Sequence, residues 1–459
     1  MAGNPESGLG PYRFGIYFSF ANAFVWMIGM GTPMILMAEH LGAEASEVGL
    51  LYSAVFLFLP LQVFSTALLP YLGFRRQLRG AWFLRTLCLL VPLGIALAAP
   101  ATPARAALGW FVAAVFAFCF FRATGACALL PWLFAILPSG LRGRYFGTDS
   151  VVVGIAGIAT LLLGSALVGF LPPFSAFGWI FGAAIAASLI SLWFLGRLPE
   201  GGRPEPIHPL RLVRRAVQLC TRPSHYRRFL WFQLVYATVG FAFIPFSTYY
   251  LKTSLGYSQS MVLGFSALQF TGVSAAGMVL RVWVDRVGAK PFFLLSHVAT
   301  LLFLCYWLCL VGYPGVFAPF LAPIFVLVGL AQAMFMTATN KYIPQICRSR
   351  EMALSASILG ALVGFSGGVA ATVWGFVLKD GATGLIVPER FIGYFVLAAA
   401  VQGFLLAAYL RLKDRRPGPE ALPATGLWVR PFRFLVGVVS LAEPPRQPPR
   451  GLGKSRRRR

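Results

Sequence analysis

The sequence predicts an all-α polytopic membrane protein with twelve transmembrane helices, six before a long basic loop and six after it, and both termini in the cytoplasm. Three observations carry this expectation. The composition is too apolar for a soluble domain, twelve apolar runs are long enough to cross a bilayer, and basic residues segregate into alternate loops. Of 459 residues, 58% are hydrophobic and 12% charged. Soluble domains run at roughly half and a quarter, so lipid must solvate much of the surface. The formal charge of +25 does not point to a nucleic-acid partner, because the basic residues lie between and after apolar runs rather than on a soluble module.

A crossing helix needs roughly 17–25 apolar residues. Such runs fall at 14–37, 48–72, 81–99, 107–137, 151–171, 174–195, 229–251, 261–282, 292–312, 316–340, 353–378 and 391–410. Turn signals at Pro172-Pro173 and at Gly312-Tyr313-Pro314-Gly315 separate the two closest pairs. The opening residues are polar without a basic stretch, so no cleavable signal peptide is expected and the first run is read as a span. One set of loops holds Arg75, Arg76, Arg79, Arg142, Arg144, the 197–228 loop with Arg197, Arg228 and six arginines between, Arg281, Arg286, Lys290, Lys341, Arg348 and Arg350. The other set holds Arg105, Lys252, Lys379 and Arg390, and also Glu39, Glu44, Glu47, Asp380 and Glu389. The positive-inside rule places the first set in the cytoplasm. The expected location is the cytoplasmic (inner) membrane, with the bilayer as an obligate partner.

The cysteines Cys88, Cys119, Cys127, Cys220, Cys305, Cys309 and Cys347 fall in apolar runs or in segments read as cytoplasmic. That argues against a disulfide framework. Cys305 and Cys309 share a helix face without a histidine or acid nearby, so no metal site is expected. No nucleophile–base constellation or phosphate loop is visible, which argues against an enzyme and leaves no cofactor to expect.

Weak internal repetition supports the six-plus-six layout. Leu41-Gly42 after the first span is echoed by Leu255-Gly256 after the seventh, each with a valine seven residues beyond the leucine, Val48 and Val262. Pro138, Arg142 and Arg144 after the fourth span are echoed by Pro344, Arg348 and Arg350 after the tenth at the same offsets. Repeats of this kind build many secondary transporters.

The loop between the eighth and ninth spans reads Asp285-Arg286-Val287-Gly288-Ala289-Lys290-Pro291. It resembles the Asp-Arg-x-Gly-Arg/Lys motif of the major facilitator superfamily, and residues 138–147 resemble that family's loop between spans 4 and 5. The resemblance covers about 14–411. It implies two six-helix bundles with the solute at their interface: 1–196, a linker 197–228, 229–411, and a basic Pro/Arg-rich tail 412–459. It also implies that Asp285, Arg286, Gly288, Lys290, Arg142, Arg144, Arg348, Arg350 and Gly73 lie in loops that switch conformation. The sequence departs from the family pattern at Pro70-Tyr71-Leu72-Gly73-Phe74-Arg75-Arg76, where the Asp-Arg pair is absent and Gly73 remains. The fifth span lacks the Gly-Pro pattern of drug/proton antiporters and carries Gly154, Gly157, Gly164 and Gly169, suited to close packing.

An embedded charge is costly and marks function by default. Arg122 lies near the middle of the fourth span, about 20 Å from either end at ~1.5 Å per residue. The resemblance implies that spans 1, 4, 7 and 10 line the cavity, so Arg122 is the expected contact for a carboxylate or phosphate. The alternative is a bond to helix carbonyls. Asn22, Trp26, Gln233, Tyr236 and Gln332 are the other expected solute contacts, each with interhelical bonding or packing as the alternative. Gln332 is expected on the face equivalent to that of Arg122, about one turn away. Arg85 is expected to snorkel to the cytoplasmic interface, His297 to be structural, and Asp149 to pair locally with Arg142 or Arg144 or to serve the helix N-terminus. No acid falls inside a predicted span, which favours a uniporter, an exchanger of anions, or coupling through His297 or a boundary acid such as Glu39, and leaves the coupling ion unknown. The tail stretch 428–442 is expected at the interface, and Arg456–Arg459 is a solvated end. The expected function is transport of a small organic solute, anionic or carboxylate-bearing, by alternating access in a monomer. A drug or metabolite exporter of the same fold, or a non-transporting scaffold or sensor, is the alternative.

Overall fold

In lipid every backbone N–H and C=O must be satisfied within the chain, and helices do this locally. The computed structural model describes residues 9–43, 45–98, 104–204, 209–378 and 388–412, and among them it is helical throughout. Before the long basic loop the helices are α1 (Arg13–Met30), α2 (Thr32–His40), α3 (Ala45–Leu57), α4 (Leu61–Ser65), α5 (Leu69–Cys88), α6 (Leu90–Ala98), α7 (Ala104–Ile136), α8 (Arg142–Phe170) and α9 (Pro173–Arg197). The loop carries α10 (Pro209–Thr221). After it come α11 (His225–Gly240), α12 (Phe243–Thr253), α13 (Gln259–Val287), α14 (Lys290–Gly312), α15 (Pro314–Phe317), α16 (Leu321–Ile346), α17 (Met352–Leu378) and α18 (Pro388–Leu410). The described residues form one compact unit. Glu44, Lys379, Asp380 and the tail segments 428–442 and 456–459 lie outside the described residues.

The breaks fall where the backbone chemistry requires them. Proline lacks an N–H and favours the first helical turn, and Pro173 and Pro314 open α9 and α15 at the two predicted turns. Ser224 and Ser258 cap α11 and α13, their hydroxyls accepting from Arg227 N at 3.0 Å and Met261 N at 3.3 Å.

Among the described residues, eleven helical stretches are long and apolar enough to cross a membrane, where twelve runs are predicted. The difference lies between 48 and 99. The second run is interrupted after Leu57 and resumes at Leu61, and from there one stretch continues to Ala98. That stretch contains Gly73 at φ 74°, ψ 163°, a conformation only glycine adopts without strain.

Helices before residue 197 pack on one another chiefly as α1 on α9 and α8, and α5 on α7. Those after 228 pack as α13 on α16, α14 on α16 and α18, and α11 on α17. Two seams join the sets: α8 against α13, and α17 against α7, α4 and α3. The α8–α13 seam brings backbones into contact. A Cβ on Gly147 would lie 2.3 Å from Arg281 N, and one on Gly277 would lie 2.5 Å from Gly147 O. Small residues permit such approaches where lipid offers no hydrophobic drive for association.

The repeat is present, but one of its registers shifts. Gly42 and Gly256 both adopt positive φ, 81° and 67°, as the paired Leu-Gly turns require. The second pair does not align as the Pro-x3-Arg-x-Arg spacing suggests. α7 ends at Ile136 and α16 at Ile346, and the 3-10 turns that follow occupy Ser139–Leu141 and Ser349–Glu351. All are 210 positions apart, four more than the two prolines. Pro138 lies in the turn, whereas Pro344 is absorbed into the last turn of α16. Arg348 and Arg350 are therefore not the counterparts of Arg142 and Arg144.

All seven cysteines are free. Cys347 lies between two of the crossing stretches, and burial pushes its thiol up to about 12. The thiolate is the nucleophile, and a three-unit rise from the ordinary value leaves ~1000-fold less of it at neutral pH. A variant retaining only Cys347 should react with maleimide roughly that much more slowly than a free thiol, gaining tenfold per pH unit.

Candidate functional site

The six expected solute contacts fall into three groups. The first surrounds Arg122, whose guanidinium carbon lies 4.3 Å from the Trp26 ring centroid. No carboxylate pairs with it among the described residues. Arg85 is its cationic neighbour and corrects an expectation. It does not snorkel; it is 1% exposed, because the interior provides it with partners. Its Nη2 donates to Asn22 Oδ1 at 2.9 Å, and Trp82 Nε1 donates to the same oxygen at 2.9 Å. Its guanidinium also lies 4.5 Å from the Trp82 centroid and 5.1 Å from that of Phe118. Ring faces attract cations most where water is excluded. Asn22, Trp26 and Arg122 thus form one cluster, completed by Arg85 and Trp82. Among the described residues no acid accompanies these two cations, Arg85 buried and Arg122 half-buried, a costly arrangement unless an anion completes it.

The second group is on α11. Gln233 Nε2 donates to Thr339 Oγ1 at 3.3 Å and Tyr409 OH at 3.4 Å. Tyr236 packs on Phe335 at 4.8 Å and edge-on to His297 at 6.2 Å. His297 is fully buried, with Nδ1 2.5 Å from Gln402 Nε2 and its ring 4.5 Å from Tyr409. These contacts match the structural role expected for His297.

Gln332 stands apart, accepting from Gln269 Nε2 at 3.0 Å. In the 210-residue register it is the positional equivalent of Arg122, rather than one turn displaced, and it is exposed.

The Asp285 loop ties the two sets of helices together. Asp285 Oδ1 accepts from Gly143 N at 2.9 Å and Oδ2 from Arg144 N at 2.8 Å, so the carboxylate caps α8. Lys341, which the sequence marked only as a loop charge, pairs with Asp285 and donates to Ser139 O at 2.8 Å. Gly288 ends α13 at φ 94°. Lys290 Nζ donates to Leu410 O at 2.6 Å, and Arg142 Nη2 to Phe134 O at 2.8 Å. The side chains of Arg144, Arg286, Arg348 and Arg350 are exposed. Gly73 mirrors Gly288, but three residues before it stands Pro70 where Asp285 stands before Gly288. Leu69 and Pro70 there line a small cleft with Leu212, Ala353 and Leu354.

Asp149 also departs from expectation. It lies seven residues inside α8, within a crossing stretch. Arg142 turns to Phe134 and Arg144 faces outward, so neither pairs with it. Ser19 on α1 neighbours its carboxyl group instead, and Oδ1 is buried without a partner.

These helices define a multi-pass membrane protein of transporter fold. Residues 229–443 match the profile of the Major Facilitator Superfamily. The fold matches the proton:xylose symporter XylE bound to 6-bromo-6-deoxy-D-glucose, with TM-score 0.68, 11% identity, and coverage of 91% of this chain and 99% of that one. It matches the human organic anion transporter TETRAN at 0.61 and 15%, over 88% and 98%. It matches the E. coli fucose:proton symporter FucP at 0.62 and 14%, over 87% and 98%. No curated protein matches by sequence. Residues 229–443 thus carry that family's profile, and the chain shares its fold with these transporters.

Proposed function

We propose that the protein moves a small anionic or carboxylate-bearing organic solute across the cytoplasmic membrane by alternating access, as a monomer. The carrying observation is the cluster of Arg85, buried, and Arg122, half-buried, two cations with no acid among the described residues to neutralise them. Arg85 is fixed by Asn22, while among the described residues Arg122 lies against the Trp26 face. That leaves Arg122's donors for a solute carboxylate or phosphate. The helices before 197 and after 228 act as two six-helix bundles, with Leu61–Ala98 counted as two crossings divided at Gly73. Basic loops then face the cytoplasm, as do both termini. Gln233, Tyr236 and Gln332 supply the facing wall, and the Asp285 latch closes the cytoplasmic end.

A thermal-shift screen tests this, with monocarboxylates, dicarboxylates and phosphate esters set against neutral sugars. A ligand of the native state raises its apparent stability. An anion that stabilises the wild type should bind Arg122→Ala ~10–100-fold more weakly, the loss of a charged hydrogen bond. Equal stabilisation of both proteins overturns the role of Arg122. Absence of solute exchange in proteoliposomes across the same panel overturns transport.

A further inference from the structure

We propose that α10, the helix of the basic loop, docks on the membrane surface with anionic phospholipid headgroups as its partner. Its two faces differ sharply. Leu212, Ala216, Leu219 and Cys220, at helical spacing, pack into the core beside α11 and α17. Arg215 on the flank pairs with Glu351, the residue before α17. That anchoring leaves a second face uncovered. Val213 and Val217, one turn apart, are 46% and 55% exposed, and Arg211 and Arg214 beside them are exposed as well. At 3.6 residues per turn the valines form one stripe and these arginines the next. A helix lying in the headgroup plane has this pattern: the apolar stripe enters the acyl boundary, and the guanidinium groups reach the phosphates along its border.

The chain holds α10 close to a crossing helix. Only Arg222, Pro223 and Ser224 separate its last residue, Thr221, from His225, where a stretch long and apolar enough to cross begins. A link that short spans at most ~15 Å. Pro223 cannot continue the helix, and Arg227 Nη1 donates to Thr221 O at 2.6 Å, which closes the turn between α10 and α11. Trp231, 57% exposed on α11, supplies an aromatic side chain near the same end.

Charge and area select lipid as the occupant. Residues 209–228 hold six arginines and no acid. Glu351 neutralises Arg215, while Arg211, Arg214, Arg222 and Arg228 are exposed. Such a patch attracts an anionic leaflet. Topology alone accounts for arginines in this loop, but it does not account for a valine stripe beside them, which requires an apolar partner at the same level. A protein partner fits poorly. The helix has 13 residues. At that length it is about 20 Å long and ~10 Å wide, so its free face offers on the order of 200 Å², against about 800 Å² per partner in a stable interface. The inference needs only that the chain crosses a membrane and is independent of the solute.

The test uses the full chain in nanodiscs of phosphatidylcholine alone and of phosphatidylcholine with phosphatidylglycerol, with the same lipids in both leaflets so that orientation does not matter. A fluorophore on Val217→Cys in a cysteine-free background should, in the anionic discs, be shielded from aqueous acrylamide and quenched by nitroxide-labelled acyl chains. Arg211→Gln combined with Arg214→Gln should lower the docked-to-free ratio ~25-fold, about fivefold per arginine. Val213→Glu should return the label to water in both disc types. These changes leave Leu212 and the Arg215–Glu351 pair intact, so the melting temperature in phosphatidylcholine discs should match that of the parent. Hydrogen exchange of residues 209–222 in the unlabelled wild type gives a second reading without cysteine removal, and anionic lipid should slow it. Equal accessibility and equal exchange in the two disc types overturn the proposal, as does shielding that appears only when two copies share a disc or that survives loss of both arginines.

Discussion

Replacing Gly329 with valine should abolish recovery of folded, monodisperse protein in a detergent size-exclusion assay. A Cβ there would lie 1.9 Å from the Gln269 carbonyl oxygen, and the facing Gly272 would bring one to 2.1 Å from Val326 O. Both obstacles are backbone atoms of α13 and α16, which rotamer changes cannot move. Forcing such a contact apart costs ~3 kcal/mol or more, at the upper end of overpacking penalties. It would separate the helices that position Gln269 and Gln332. Gly264→Ala on the same α13 has nothing within 4 Å and gains up to ~1 kcal/mol of helix propensity. Equal loss in the two variants would refute the close-approach argument.

Asp285→Asn should release the latch. Its carboxylate serves two backbone donors and Lys341, whose side chain is 8% exposed against 14% for the aspartate. Removing one partner of a buried pair typically costs ~3–5 kcal/mol, because the other charge stays buried. A shift of ~3 kcal/mol changes the closed-to-open ratio by more than ~100-fold. The distance between spin labels at Gly140 and Arg348, both exposed, should lengthen, and the melting temperature should fall. Asp285→Asn combined with Lys341→Met should recover part of the loss, because no lone ammonium remains. Strict additivity in that double-mutant cycle would show that the pair is not coupled.

These sites were unequally legible in the sequence. The Asp285 motif identified the acid correctly, yet its partner Lys341 and the capped amides of α8 lie far away in the chain. The missing Asp-Arg pair near Gly73 left the first-half latch in doubt. In the structure Leu69 and Pro70 line a small cleft there with Arg350, Ala353 and Leu354. Arg122 stood out because it sits mid-span, but Arg85 did not: one turn from a predicted helix end, it has the sequence profile of a snorkelling residue. Asn22 and the Trp82 and Phe118 rings hold it inside. Asp149 was missed for the related reason that α8 begins at Arg142, nine residues before the apolar run. Hydropathy locates the apolar stretch and not the helix that carries it.

By itself the sequence determined that this chain crosses a membrane with apolar helices. It set most of their breaks, at Pro172-Pro173, Tyr313-Pro314 and the paired Leu-Gly turns, and it placed a guanidinium in the fourth span. Those properties depend on runs of neighbouring residues, whose transfer energies and backbone preferences act locally. The tertiary structure alone decided that the Pro-x3-Arg-x-Arg echo is four residues out of register and that Gln332 is the true counterpart of Arg122. It also decided that Arg85 is a buried partner of Asn22 and that Asp149 lies unpaired against Ser19. Each depends on how far a helix extends and which face it turns to its neighbour, and close packing across helices fixes both.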